Sequence, residues 1–211
     1  CNNNQLTTID VSQNTALTYL YCFNNQLTTL DVSQNTALTF LRCEYNQLTS
    51  LDVSTNTALT YFYCDNNQLT VLDVSVNTSL GRLSCSNNQL TSLDASQLNI
   101  LTEIACYNNQ LTSLDVRNGN NINFQHFYAQ NNPNLYCIDV DDSVWSTANW
   151  TGIDPQHYFS NNCSTTGIEE HTTNKELLKV TDLLGRETKG TNQLLFYIYD
   201  NGTVEKRIVI E

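Results

Sequence analysis

The chain has 211 residues, and its 9 Lys+Arg against 21 Asp+Glu give a formal net charge of −12. Such a balance disfavours nucleic acid, whose affinity comes from counterions released by cationic side chains, and it disfavours anionic membrane surfaces. Hydrophobic residues make up 40% and charged residues 14%, which is apolar enough for a core and too weakly charged for a disordered chain.

Asn occurs 30 times, against 7 Gly and 2 Pro, so Asn has a repeated use beyond ordinary loops. No apolar run is long enough to cross a bilayer as a helix. The chain contains no Met, so an initiator segment, such as a signal peptide, is expected to precede Cys1.

From the first residue the sequence repeats itself. Cys1, Cys22, Cys43, Cys64, Cys85 and Cys106 are 21 residues apart. Each opens the unit C-x-x-N-Q-L-T-x-L-D-V-S-x-N-T-A-L-T-x-L-x. The unit has two similar halves, L-x-x-L-x-C-x-x-N from Leu17 and L-x-x-L-x-V-x-x-N from Leu27. A fixed period of this length is the mark of a solenoid. The pattern resembles the leucine-rich repeat, and within it the 21-residue bacterial subclass called IRREKO. The resemblance covers residues 1–129 and implies a mostly β, parallel, two-faced coil. The sixth unit departs from the phase: two extra residues precede Ala129, which takes the cysteine position, and in the fifth unit Leu98 replaces Asn.

Residues one coil apart stack at about 4.8 Å, the spacing of paired strands. Leu20, Leu41, Phe62, Leu83 and Ile104 are thus expected to form one inward column. Val11, Val32, Val53, Val74, Ala95 and Val116 form another. Asn4, Asn25, Asn46, Asn67, Asn88 and Asn109 are expected to form a ladder of buried amides bonded to turn backbone, with Asn14, Asn35, Asn56 and Asn77 doing the same in the other half. Stacked cysteines point the same way and are poorly set for a disulfide dihedral, so the six are expected to be buried free thiols. Cys1 in repeat phase is expected to open the first coil rather than carry a lipid.

Two outward columns differ in character. Asp10, Asp31, Asp52, Asp73, Asp94 and Asp115 form a row of like charges. Each must be hydrogen-bonded to a nearby hydroxyl or N–H, or bridged by a cation; Asp31, Asp52 and Asp73 are the candidates for calcium. The other strand face carries Tyr19, Tyr21, Phe23, Phe40, Arg42, Tyr45, Tyr61 and Tyr63, concentrated in the first three coils. Core packing explains none of them. Contiguous exposed aromatics mark interaction sites, with aromatic and Arg anchors. They also suit strands, and neighbouring coils can stack them with no ligand at all.

Beyond the repeats, residues 130–165 are expected to cap the open end of the stack. Trp145 and Trp150 supply its apolar bulk, and a Cys137–Cys163 disulfide closes it, which implies an oxidising compartment. Residues 166–211 read as a separate tail: a strand over 177–180, then a hairpin with strands at 195–199 and 204–210. Asn201-Gly202 between alternating runs is a strong turn signal. The stretches DLLGRETK at 182–189 and YDNGTVEKRIVIE at 199–211, with Gly185, Arg186, Gly202 and Lys206, resemble the end of a type IX secretion sorting tail of Bacteroidetes. That resemblance implies export through the periplasm to the cell surface or the medium, with the type IX machinery as partner.

For catalysis the sequence offers nothing. His126, His157 and His171 fit no Ser-His-Asp or Cys-His arrangement, and no phosphate loop or metalloprotease motif occurs. No cofactor is expected. The expected function is a secreted or cell-surface, non-enzymatic binding or adhesion protein with a protein ligand. Carbohydrate binding through ring faces is the alternative, and ice binding through Thr columns such as Thr28, Thr49 and Thr70 comes third.

Overall fold

The computed structural model describes residues 1–163, 177–181, 193–199 and 204–209. The chain divides into two compact units, Cys1–Ser164 and Thr165–Glu211.

In the first unit the chain winds as a parallel coil whose strands are three residues long. In order they are β1 (Tyr19–Tyr21), β2 (Phe40–Arg42), β3 (Tyr61–Tyr63), β4 (Arg82–Ser84), β5 (Ser92–Asp94), β6 (Glu103–Ala105), β7 (Ser113–Asp115), β8 (His126–Tyr128), β9 (Cys137–Asp139) and β10 (Tyr158–Ser160). One sheet runs β1-β2-β3-β4-β6-β8 and the other β10-β9-β7-β5. Every pair in both is parallel, and on the first face Tyr19 sits beside Phe40, Phe40 beside Tyr61, and Tyr61 beside Arg82. The two faces are unequal: on the second, strand ladders begin only at β5, while the four earlier coils pass there without an assigned strand.

The inward columns are dry. Leu41, Phe62 and Ile104 are fully covered, as are Leu27, Leu48, Leu69, Leu90 and Leu111. Burying each such side chain stabilises by roughly 1.5–3 kcal/mol, which a single coil cannot realise because only its neighbours supply the cover. Cys22, Cys43, Cys64, Cys85 and Cys106 are buried free thiols. Burial pushes the Cys22 and Cys106 thiols up to about 12, so they stay protonated and inert. Cys1 differs from the expectation. It is exposed, on the open face of the first coil, and its thiol meets the Tyr21 carbonyl.

Asn has two uses, and the repeat places them side by side. In the ladder, Asn46 Nδ2 donates to the carbonyls of Cys22 and Cys43, and its Oδ1 accepts the Leu27 N–H. Asn67, Asn88 and Asn109 repeat that pattern one coil later each time. In the other half Asn56 Nδ2 donates to Val32 and Asn35. Asn4 and Asn14, in the first coil, are exposed rather than buried. The second use is conformational. Asn3, Asn24, Asn66, Asn87, Asn108 and Asn131 hold φ between 54° and 59°, a left-handed turn that Asn enters more easily than other side chains because its short amide bonds locally.

Residues 130–163 do more than cap the coil; they continue it. Asn132 takes the ladder position, donating to Cys106 and Ala129. On the second face β9 pairs with β7 and places Asp139 beside Asp115, while Tyr128 bridges Gly152 on the first. Only the helix α1 (Ser143–Asn149), N-capped by Asp142, breaks the pattern. Trp150 stacks on Phe127 with centroids 4.1 Å apart and planes 4° apart, and Phe159 meets both edge-on. The Cys137–Cys163 disulfide is present.

The second unit holds one antiparallel sheet, β11 (Leu177–Thr181), β12 (Gln193–Tyr199) and β13 (Val204–Val209), in that order. Lys206 lies on β13 opposite Phe196. Gly185, Arg186 and Gly202 lie outside the described residues.

Candidate functional site: an aromatic strand face

Strand alternation turns Leu20, Leu41 and Phe62 inward and their neighbours outward. Parallel register then lays equivalent outward residues side by side. Phe40 is the hub. Its ring centroid lies 6.0 Å from Tyr19, 5.4 Å from Tyr21, 5.0 Å from Tyr61 and 5.9 Å from Tyr63. The Tyr19–Phe40–Tyr61 rings are close to parallel, tilted by 28° and 25°, so their faces are turned toward one another along the coil axis. The Arg42 guanidinium sits over Phe23 at 4.5 Å and near Tyr63 at 5.7 Å, at distances of cation–π attraction. Arg42 is held there by Glu44, to which its Nε donates at 2.7 Å.

The structure thus gathers seven of the eight singled-out residues into one contact network. Tyr45 lies on the adjacent turn, 55% exposed. Later members of the same outward column, Arg82 and Glu103, and the acids Glu44 and Asp65 complete the surface. Arg82 covers the Tyr61 ring at 5.5 Å and pairs with Glu103 at 3.3 Å. Glu44 is only 4% exposed. Asp65, one coil beyond it, accepts from the Ser84 hydroxyl and the Ser86 N–H. Burial pushes the Asp65 carboxyl up despite those bonds, with the Glu44 charge adding to the rise. The available signal was a run of acids, Glu44 then Asp65, beside the cysteine column.

The aspartate row is satisfied locally. Asp31, Asp52 and Asp73 each accept the N–H of the serine two residues on. That N–H, followed by the serine hydroxyl, holds the Asp31 and Asp73 carboxyls below the usual range. Among the described residues no group of three or more His, Cys, Asp or Glu is placed to hold a metal. A cleft of about 510 Å³ lies on the second face, lined by Asp94, Asp115, Arg117, Tyr136 and Asp139 beside the disulfide. Arg117 spans its carboxylates, reaching Asp115 and Asp139.

Comparison with solved structures places this geometry. The functional domain of InlJ from Listeria monocytogenes, described as including a cysteine ladder, is 38% identical over 64% of this chain and 32% of its own, with a TM-score of 0.58. The fold is a leucine-rich repeat solenoid. An internalin, inlF, from the same organism matches at 23% identity over 72% of this chain and 44% of its own, with a TM-score of 0.56. A leucine-rich repeat protein of Leptospira interrogans matches at 21% identity, over 75% of this chain and 53% of its own, with a TM-score of 0.51. The chain therefore spans about a third to a half of the bacterial leucine-rich repeat structures it resembles. No protein-family model and no curated protein matches it. Among the described residues of this solenoid, no helix is long and apolar enough to cross a membrane.

Proposed function

We propose that the protein is a non-enzymatic binding or adhesion module, secreted or held at the cell surface, whose aromatic strand face takes a protein ligand. The observation that carries this reading is the contrast between columns. Inward positions repeat coil after coil, whereas the outward Tyr19 column runs Tyr, Phe, Tyr, Arg, Glu. Its aromatics are knit into one surface around Phe40. The solenoid likeness to bacterial leucine-rich repeat structures supports a binding role over catalysis.

Carbohydrate binding is the second reading. It needs open ring faces for sugars, and Phe40 and Tyr61 lie against one another and beneath Tyr19 and Arg82 respectively, leaving Tyr19, 57% exposed, as the open ring of the row. That favours a protein partner, which can pack on ring edges. The test compares wild type with Phe40→Ser on surface extracts and on a glycan array. Saturable protein binding lost in the variant is expected; binding to glycans alone would reverse the order of the two readings.

Export belongs to the second unit. The type IX reading rests on the resemblance of residues 182–189 and 199–211, with a three-stranded sheet suited to an autonomous signal. Truncation after Ser164, expressed in a type IX-competent Bacteroidetes host, is expected to leave the protein in the periplasm. Surface display in normal amounts would end the sorting-tail reading.

A further inference from the structure

Seven equivalent turns in the coil hold a left-handed residue, and six of them use Asn. The seventh is Tyr45, at φ 57°. A bulky side chain at positive φ is an outlier, since its Cβ crowds the following carbonyl. Asn at this point costs less, and Asn24 and Asn108 also bond to the equivalent Asn one coil away. The tyrosine is 55% exposed, with no ring contact and no side-chain hydrogen bond among the described residues to offset that cost.

Its neighbour is placed against stability as well. Glu44 is buried and held by Arg42 through Oε1, yet its Oε2 has no hydrogen-bond partner. An unpaired buried carboxylate oxygen is costly. The equivalent acid one coil on, Asp65, is instead satisfied by two serine donors. Two adjacent residues in one coil therefore carry unrelieved costs, at the edge of the aromatic network. Strain kept where the fold does not use it marks a place where another requirement has won.

We propose that Tyr45, next in the chain to the Arg42–Glu44 pair, is the specificity anchor of the strand face, and that its ligand is a polypeptide presenting an aliphatic side chain next to a Lys or Arg. This rests on the binding function proposed above. Among the eight residues of this face, Tyr45 is the aromatic ring that carries neither another ring nor a guanidinium, so it is free to pack an aliphatic group. The cationic half follows from charge. Around this face the carboxylates of Glu44, Asp65 and Glu103 outnumber the guanidiniums of Arg42 and Arg82, in a chain of net charge −12, so the ligand's cation is drawn to the surface. Acidic partners are repelled by the same field.

The test uses a phage-displayed random peptide library selected on the immobilised full chain. Enriched peptides are expected to carry an aliphatic residue within a few positions of Lys or Arg. Their affinity for Y45N and Y45A is expected to fall by about tenfold or more, as for a hot-spot side chain. Y45N is also expected to melt about 2–4 °C higher than wild type, the shift for relief of about 1 kcal/mol in a chain of this size. Y45A lacks the amide with which Asn bonds locally at positive φ and is expected to gain no such stability. Peptides that bind Y45N as well as wild type but lose affinity for Tyr61→Ala would overturn the anchor and leave the strand-face function standing. Enrichment of acidic peptides would overturn the cationic ligand. An unchanged melting temperature in Y45N would overturn the strain on which the inference is built. Failure to enrich any peptide, with binding on a glycan array instead, would overturn both the anchor and the protein-binding function.

Discussion

At the scale of single residues, this protein depends on how one side chain, Asn, serves backbone groups in its neighbour coil. Asn46 bonds three backbone groups of two adjacent coils, the Cys22 and Cys43 carbonyls and the Leu27 N–H. Asn46→Ala leaves the Leu27 N–H buried and unpaired, while the Cys22 and Cys43 carbonyls keep Asn25 and Asn67, and is expected to cost roughly 1–3 kcal/mol in urea unfolding; an unchanged midpoint would mean water replaces the amide. The ladder could be read from the sequence because its Asn recurs at a fixed phase next to the core. The left-handed Asn could not, since it recurs at the same period and sits immediately before the ladder residue. Sequence spacing cannot distinguish a conformational role from a hydrogen-bonding one at adjacent positions. The aspartates set the acid limit. The Asp31 carboxyl is lowered on folding by the Ser33 N–H and hydroxyl, so its contribution is present above an unfolded value of about 3.9 and is lost as pH falls through the folded value. Asp65 is raised and acts in the opposite sense, gaining stability for the fold as pH falls toward the unfolded value. With several lowered acids in the column, stability is expected to fall below about pH 4. Asp31→Asn keeps the acceptor and removes the charge, so its urea midpoint is expected to drop less between neutral and acidic buffer than that of wild type. An equal drop would assign the acid sensitivity elsewhere.

At the scale of elements, strands of three residues are too short to hold by their own pairing, and each survives through the column on its inner side. Phe62 is the largest fully buried side chain among the described residues, and Phe62→Ala is expected to cost about 3–5 kcal/mol, read from the chemical denaturation midpoint. The columns were legible because 21-residue phase converts directly into stacking. The region after Ala129 was legible only in part. Its Trp pair and disulfide announced a cap, but the insertion before Ala129 and α1 interrupt the period, so the continuing ladder at Asn132 and the Asp139 position in the aspartate row had no regular spacing to show them. The disulfide ties β9 to the residue after β10, across a sequence separation of 26. Cys137→Ser with Cys163→Ser is expected to cost about 2–4 kcal/mol. Thiol titration in denaturant without reductant is expected to find six free cysteines; eight would mean the bridge does not form in solution.

At the scale of the whole molecule, each coil contacts the one before and the one after, so stability is close to a sum of neighbour terms. The first unit has its own continuous core. Residues 1–164 alone are therefore expected to melt as they do in the full chain, and a lower melting temperature would show that the second unit supports the coil. The solenoid was open to sequence reading because it is a matter of period. The aromatic strand face was open only to its membership: outward aromatics could be named, but their mutual stacking, the burial of Glu44 and the isolation of Tyr45 depend on side-chain directions that a period does not carry.

The uniform offset of the Asn ladder has a genetic consequence. Asn46, Asn67 and Asn88 each bond in the same way to the coil before them, so a coil duplicated or deleted whole, as by unequal crossing-over between near-identical stretches of the gene, presents its neighbours with the groups they already meet. The scaffold can lengthen or shorten between generations without a refolding problem. The coil of Tyr45 is the exception: copied, it would double the strain of its turn, and lost, it would take the anchor with it.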